Sequence, residues 1–171
     1  AQWLNVFLRK SDVLKIACLA QIVNVIAPIM TTTDGMYKQT IFYPLMLFRR
    51  LANGVALDVA VRGPRYETKQ FGDMPLLDVS ASYNEETGAH AIFIVNRSQT
   101  ESIPVDFHWQ DLKPSAIKSA HQLAGTEPKA ANTFDNPNNI VAVPINIPTV
   151  NDDSVSMILP PLSFTTLELS L

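Results

Sequence analysis

The chain contains 171 residues, of which 47% are hydrophobic and 17% charged, and its formal net charge at pH 7 is −3. This composition is typical of a globular protein and argues against long disordered segments. No apolar run reaches the roughly 20 residues of a membrane-spanning helix. Mild acidity without a basic cluster argues against nucleic acid as a partner. The single cysteine excludes an intramolecular disulfide framework and a cysteine-based zinc cluster.

The first eight residues already carry a helix-like pattern, and they lack the basic, apolar and cleavage regions of a signal peptide. A natural N terminus rarely starts inside an amphipathic element. We therefore expect this chain to be a piece of a longer protein, the alternative being that a leader has been removed.

Residues 1–53 carry helical spacing and hold one of the six glycines and two of the twelve prolines. Residues 11–23 begin with an N-cap pair and continue with apolar residues at three- and four-residue spacing, which predicts a helix. The uncharged run 25–30 predicts a strand that is buried on both faces, as in a parallel sheet. A second helix is predicted over 40–53, with Gly54 beyond its end. Together these elements form one unit of an α/β fold. A single unit of this kind cannot be a domain on its own.

Beyond Gly54 the chain consists of short β-branched and aromatic runs separated by turn residues. Eight strands are predicted, over 55–61, 76–83, 89–96, 101–109, 116–123, 140–147, 154–159 and 163–170. Strands of this length and spacing are typical of a two-sheet antiparallel β-sandwich with jelly-roll-like character. The chain is therefore expected to be mainly β.

The reactive residue types form no local motif. Cys18 lies within an apolar run and is expected to be a small buried hydrophobe. His90, His108 and His121 stand singly, without metal-ligand spacing, so packed or surface roles are favoured. The acidic pair at 85–86 falls in a predicted hairpin loop, where solvation is favoured. Spacing alone therefore favours ordinary structural roles for Cys18, the three histidines and the acidic pair, and it indicates no local metal motif.

Three further features have a functional and an ordinary interpretation. Residues 96–98 fit the glycosylation triplet, which also arises by chance. Residues 62–66 form an Arg/Tyr loop that either contacts a ligand or is simply solvated. Trp3 and Trp109 are expected in the core rather than as sugar-binding platforms.

Gln39 lies in the segment 35–44, which joins the predicted buried strand to the second helix. In a (β/α)₈ barrel, such a loop lies on the face that carries active sites. An amide there can donate to and accept from sugar hydroxyls. From the residues alone, ligand contact and a helix-capping or solvent role both remain open.

Two stretches resemble the α-L-arabinofuranosidases of glycoside hydrolase family 51. The first combines DVLKIACLAQIVNVIAPI at 12–29 with QTIFYP at 39–44, and the second is LPPLSFTTLEL at 159–169. Residues 55–158 resemble this family mainly in the overall layout of the sequence. The resemblance covers the whole chain, but only about the last third of a full-length enzyme.

The resemblance implies that residues 1–54 are the last strand and helices of a (β/α)₈ catalytic barrel, with the eighth strand at 25–31. Residues 55–171 would be the C-terminal β-sandwich. The family retains configuration and uses two glutamates, which must stand about 5 Å apart. Both lie upstream of the residues present here, so the isolated chain is expected to be inactive. Gln39 matches the family glutamine that hydrogen-bonds the arabinofuranose in the subsite before the scissile bond.

The expected function is therefore that of a C-terminal fragment of a retaining enzyme that hydrolyses terminal α-L-arabinofuranosyl residues of oligosaccharides and polysaccharides. The resemblance also implies no metal or organic cofactor, a homo-oligomer and a cytoplasmic location. The alternative is a non-catalytic β-sandwich that binds carbohydrate or serves a structural or oligomerisation role.

Overall fold

The computed structural model describes residues 1–111, 113–148, 150–151 and 154–170, and these ranges contain two helices and thirteen strands. The helices are α1 (Gln2–Arg9) and α2 (Phe42–Leu51). The strands are β1 (Ile29–Thr31), β2 (Met36–Lys38), β3 (Val55–Leu57), β4 (Arg65–Thr68), β5 (Gly72–Pro75), β6 (Leu77–Asn84), β7 (Ala89–Asn96), β8 (Ile103–His108), β9 (Ala116–Ala124), β10 (Val143–Pro144), β11 (Val150–Asn151), β12 (Ser154–Leu159) and β13 (Ser163–Ser170).

Two antiparallel sheets dominate the fold. One has six strands in the order β10-β9-β13-β7-β6-β3, and the other has three in the order β11-β12-β8. The remaining strands form two separate hairpins, β1–β2 and β4–β5. The prediction of a mainly β chain built from antiparallel sheets is confirmed.

The main hydrophobic core lies between the two sheets. The six-stranded sheet contributes Leu77, Ala81, Ile92, Ile94, Ile117, Ala120, Leu167 and Leu169, and the three-stranded sheet contributes Ile103, Val155 and Leu159. Because side chains alternate between the two faces of a strand, the intervening residues of β7 point away from this core. The central strand β7 is therefore buried on both sides.

A second core forms where α2 packs on the outer face of the six-stranded sheet. The ring of Phe48 stacks on Phe93 with 3.9 Å between centroids, and on Phe164 with 5.8 Å. Leu47 is buried in the same cluster. Helix α2 matches the helix predicted over 40–53, and its apolar face explains why it forms.

Helix α1 is attached to strand β6 by polar contacts. The buried Asn5 donates from Nδ2 to the Asp78 carbonyl oxygen at 2.9 Å and accepts from the Ser80 hydroxyl at 2.8 Å. Arg9 forms an ion pair of 2.8 Å with the buried Asp78 carboxylate, and Arg97 approaches the same carboxylate at 3.5 Å. A buried carboxylate requires such cationic partners.

Gly54 joins α2 to β3 with a positive φ of 85°. A Cβ at this position would collide with the backbone of Tyr83 and Asn84 at the end of β6. Glycine is required here on both counts, since it tolerates positive φ and has no Cβ.

Two predictions for the first part of the chain are wrong. No helix forms over 13–23, and the strand predicted to be buried on both faces at 25–30 is reduced to residues 29–30 of β1; its assignment to a barrel at 25–31 stays a prediction. Only β1 forms there, and it pairs antiparallel with β2. Helices and strands of this kind depend on packing against an apolar partner surface. Within the described ranges, no surface covers the apolar side chains of 13–26.

The later strands agree with prediction to different degrees. The strands predicted at 76–83, 89–96, 116–123, 154–159 and 163–170 appear with nearly the expected bounds. The strand predicted at 140–147 shortens to β10, and hairpin β4–β5 was not predicted. That hairpin is largely exposed, so it carries no alternation of apolar and polar residues. No helix in the described ranges is long and apolar enough to cross a membrane.

Candidate functional site

Gln39 follows β2 directly, at the entrance to α2. Its backbone N–H donates to the Pro28 carbonyl oxygen at 2.8 Å, and its Nε2 donates to the Ala27 carbonyl oxygen at 2.9 Å. Its own carbonyl accepts from the Phe42 N–H at 2.9 Å, which begins the helix. Both Ala27 and Pro28 are buried. These contacts fix the glutamine between the segment before β1 and the start of α2.

The side chain of Gln39 keeps unused hydrogen-bonding capacity. An amide NH₂ group has two protons, and the Ala27 carbonyl takes only one of them. No donor in the described ranges reaches Oε1 within hydrogen-bond distance. The half-buried amide can therefore still donate one hydrogen bond and accept others, which suits a hydroxyl-bearing ligand.

A loop of the β-rich part lies against this hairpin. Asn132 donates from Nδ2 to the Lys38 carbonyl oxygen at 2.8 Å. The rings of Tyr37 and Phe134 meet edge to face, with 4.8 Å between centroids. Residues 125–142, between β9 and β10, therefore contact the strand that precedes Gln39.

An open cavity of about 400 Å³ lies beside Thr40, the residue after Gln39. Its polar lining includes Gln2, Thr40, Tyr66, Asn96, Arg97 and Glu127. Retaining glycoside hydrolysis needs two carboxylates on either side of the scissile bond. Glu127 supplies the only carboxylate to this lining within the described residues, so the cavity lacks that catalytic pair.

The three histidines occupy packed or exposed positions, as predicted. His90 is buried beside the Tyr83 ring at 4.6 Å between centroids, and burial lowers the pKa of its imidazole. His121 is half-buried and His108 exposed. In the described part of the chain, no three His, Cys, Asp or Glu side chains are placed to hold a metal ion. The acidic pair at 85–86 lies in an exposed turn, which confirms that prediction.

Two expected core residues are exposed. Cys18 is exposed, and Trp3 has 75% of its surface accessible. Both predictions of burial are wrong in this structure. Cys18 lies in the uncovered segment 13–26, and Trp3 lies on a face of α1 that packs on nothing in the described ranges. Trp109, in contrast, packs against the core between the sheets, as predicted.

The glycosylation triplet has an ordinary structural explanation. Asn96 is buried, and its Nδ2 lies 2.9 to 3.1 Å from the carbonyl oxygens of Glu101, Leu159 and Pro160, which share its two protons. Its Oδ1 accepts from the Ser98 N–H. An amide with all of these partners connects the end of β7 to the chain before β13 and leaves no room for a glycan.

Residues 65 and 66 of the Arg/Tyr loop begin strand β4 of hairpin β4–β5, and residues 62–64 precede that strand. Arg65 pairs with Asp73 of the opposite strand at 2.5 Å, and both side chains are about half exposed. Tyr66 is exposed and reaches the cavity beside Thr40. Arg65 therefore has a partner within its own hairpin, whereas the exposed Arg62 and Tyr66 remain accessible to a ligand.

Sequence reasoning missed Asn132, which contacts the hairpin before Gln39. It lies in a loop without periodicity, and 94 residues separate it from Lys38. The turn-rich composition around it predicts a loop but no partner.

Solved structures superpose closely on this fold and define its class. The family 51 α-L-arabinofuranosidase AbfB from Bifidobacterium longum gives a TM-score of 0.88 at 29% identity, over 95% of this chain and 32% of that chain. The GH51 arabinofuranosidase from Xanthomonas axonopodis pv. citri gives 0.85 at 23% identity, over 97% of this chain and 33% of that chain. The fold is therefore that of one part of a larger glycoside hydrolase.

The sequence comparison gives the particular family. The family profile described as Alpha-L-arabinofuranosidase C-terminal domain matches residues 1–163, and the chain belongs to this family. An intracellular exo-α-(1→5)-L-arabinofuranosidase of Streptomyces lividans is 35% identical over 161 residues, which are 94% of this chain and 24% of that enzyme. A Bacillus subtilis enzyme of the same name is 32% identical over 95% of this chain and 32% of its own length. The chain thus spans about a quarter to a third of these relatives, and the family 51 resemblance is confirmed.

Proposed function

We propose that this chain acts as the C-terminal part of a retaining enzyme that releases terminal α-L-arabinofuranosyl residues from oligosaccharides and polysaccharides. The match of residues 1–163 to the family carries this proposal. Relatives in Streptomyces lividans and Bacillus subtilis are named as intracellular exo-acting enzymes on α-(1→5)-L-arabinofuranosyl linkages. We extend that substrate class and location to the enzyme that contains this chain, and we propose that it works as a homo-oligomer.

The two regions of the chain have different roles in this proposal. Residues 1–54 belong to the catalytic barrel, and residues 55–171 form the sandwich that supports it. The exposed apolar side chains of 13–26 support this division, because an uncovered patch of this kind marks a surface that binds another protein surface. The rest of the barrel would cover them.

The catalytic and substrate-binding groups are also divided in this proposal between the upstream part of the enzyme and this chain. Forming and hydrolysing a glycosyl-enzyme requires a nucleophilic carboxylate and an acid/base carboxylate about 5 Å apart. We place both on the upstream part of the enzyme. Gln39 would contribute its second amide proton and its Oε1 to the hydroxyls of the arabinofuranose. Such contacts raise the rate when they tighten in the transition state.

The first experiment replaces Gln39 by alanine in the full-length enzyme. We expect kcat/KM for p-nitrophenyl α-L-arabinofuranoside to fall by roughly 5- to 150-fold, the equivalent of about 1–3 kcal/mol for hydrogen bonds to the furanose. The control is Gln70→Ala, since Gln70 is exposed in the turn between β4 and β5. Wild-type kinetics in Gln39→Ala would show that the residue only connects the hairpin to α2.

The second experiment measures hydrolysis by the purified 171-residue chain. We expect none, because neither glycosylation nor deglycosylation proceeds without the carboxylate pair. Hydrolysis that co-purifies with the chain and is blocked by an arabinofuranosidase inhibitor would overturn the division of labour proposed above.

The non-catalytic carbohydrate-binding alternative has less support. Stacking on a sugar face requires exposed, coplanar rings. The exposed Trp3 lies 6.1 Å from Phe7 between centroids, but the two rings are inclined at 39°. Trp109 is engaged with the core.

A further inference from the structure

Asn132 holds three backbone groups with one buried side chain. Its Nδ2 donates to the carbonyl oxygens of Lys38 at 2.8 Å and Ile140 at 2.9 Å, and its Oδ1 accepts from the Ile140 N–H at 2.7 Å. Only 4% of the residue is exposed. The contacts to Ile140 close the loop 125–142 on itself. The contact to Lys38 joins that closed loop to the end of β2.

The Lys38 carbonyl and the Gln39 N–H belong to the same planar peptide unit. Asn132 holds the carbonyl oxygen of this unit, and the Pro28 carbonyl accepts from its N–H at 2.8 Å. A planar unit held at both ends cannot rotate about its flanking bonds without losing one of the two hydrogen bonds. The backbone orientation of Gln39, and with it the direction of its side chain, is therefore fixed partly from the sandwich.

A second contact supports the first. The Phe134 ring, two residues beyond Asn132, meets the Tyr37 ring edge to face at an interplanar angle of 89°. This geometry is a favoured arrangement for aromatic pairs. Tyr37 immediately precedes Lys38 on β2. The same loop thus contacts two successive residues before Gln39, one through an amide and one through a ring.

We propose that Asn132 is a positioning residue for the arabinofuranose contact of Gln39, and that the loop 125–142 gives the sandwich a direct part in the active site. This inference rests on the proposed function. Substrate contacts must be held within a fraction of an ångström, and they depend on neighbours that lock their orientation. Asn132 acts through Gln39 and does not itself touch the substrate.

The test compares Asn132→Ala, Gln39→Ala and the double variant in the full-length enzyme, with p-nitrophenyl α-L-arabinofuranoside. We expect Asn132→Ala to lower kcat/KM by roughly 3- to 30-fold. The double variant should lose no more than Gln39→Ala alone, since residues that act through one another are not additive. The matched control is Asn139→Ala: Asn139 lies in the same loop but is exposed, and among the described residues its side chain bonds only the Ala131 carbonyl oxygen. It should keep wild-type kinetics.

Amide hydrogen exchange over 38–42 gives a readout that is independent of turnover. We expect faster exchange at the Gln39 amide in Asn132→Ala and unchanged exchange in Asn139→Ala. If Asn132→Ala does not fold, Phe134→Ala replaces it, because Phe134 is 45% exposed. Its expected loss is roughly 2- to 5-fold, again without further loss in combination with Gln39→Ala.

The outcomes separate this inference from the function on which it rests. A full-length enzyme without arabinofuranosidase activity would overturn the proposed function, while unchanged exchange at Gln39 would overturn the contact itself. Reduced activity in Gln39→Ala together with wild-type kinetics in Asn132→Ala would overturn positioning alone. Losses that multiply in the double variant would assign Asn132 a role separate from Gln39 and contradict the proposal.

Discussion

Strand β7 and the segment 13–26 are both rich in apolar residues, yet they have opposite environments. Residues 90–96 of β7 are buried or nearly so, with the three-stranded sheet on one face and α2 on the other. In the segment 13–26, Ile16 is 79% and Val25 75% exposed. The difference shows that apolar sequence forms regular structure here only where the described chain supplies a surface to cover it.

Phe93→Ala tests the side of β7 that faces α2. The variant removes the ring that stacks on Phe48 at the centre of a closed cluster, so the free energy of unfolding should fall by about 3–5 kcal/mol. The control Phe71→Ala removes a ring that is 70% exposed and should change stability by less than about 0.5 kcal/mol. Urea denaturation measures both. Equal midpoints for the two variants would contradict the assignment of β7 as doubly buried.

Asp78→Asn tests the polar attachment of α1 to the same sheet. Removing the buried charge leaves Arg97 and Arg9 without their partner, and we expect a loss of about 2–4 kcal/mol. Asp73→Asn breaks the exposed pair with Arg65 and should cost at most about 1 kcal/mol. The two variants are compared by urea denaturation in the same buffer. A larger effect at Asp73 would show that burial does not determine the strength of these pairs.

His90→Phe tests the buried imidazole near the start of β7. Burial lowers the pKa of His90 in the folded state below the unfolded value of about 6.5. Between these two values the unfolded chain binds more protons, so stability is complete above pH 6.5 and is lost as the pH falls towards the folded pKa. Phenylalanine keeps a ring beside Tyr83 and removes the titration. We expect a smaller loss of stability between pH 8 and pH 5 than in wild type, measured by urea denaturation at each pH.

Serine substitutions at Ile16 and Ile22 test the exposed apolar segment 13–26. In the 171-residue chain the pair should change the free energy of unfolding by less than about 0.5 kcal/mol, because both side chains are exposed. The same pair should reduce self-association in sedimentation experiments, since it shrinks an uncovered apolar patch. In the full-length enzyme it should destabilise the barrel that we propose covers this segment. A large destabilisation of the 171-residue chain would show that the segment is covered after all.

The same distinction explains which elements could be predicted from sequence. The strands near Ile92 and Leu167 have partners within the chain, and their bounds follow from alternation and turn residues. The helix expected after Asp12 has the right periodicity, but the described residues offer it no surface to pack on, and periodicity cannot reveal whether a partner exists. Hairpin β4–β5 is the opposite case: it forms although its low apolar content predicts no strands.

The candidate site was predictable only in part. Gln39 could be chosen from its place between hairpin and helix and from a family resemblance, and its substrate role stays a prediction. Asn132 could not be chosen, because its partner Lys38 is distant in the chain and a single asparagine in a loop carries no signal. The link that Asn132 makes is found only in the structure, where its side chain bonds the backbone of both Lys38 and Ile140.

The tight passage at Gly54 has a consequence for protein engineering. The connection from α2 to β3 runs against the backbone of Tyr83 and Asn84, and it leaves no space for even a methyl group. Chimeras that exchange sandwiches between related enzymes should therefore not place a crossover or an inserted linker at this junction. Such a change would displace α2 from the sheet and shift the orientation of the two exchanged parts.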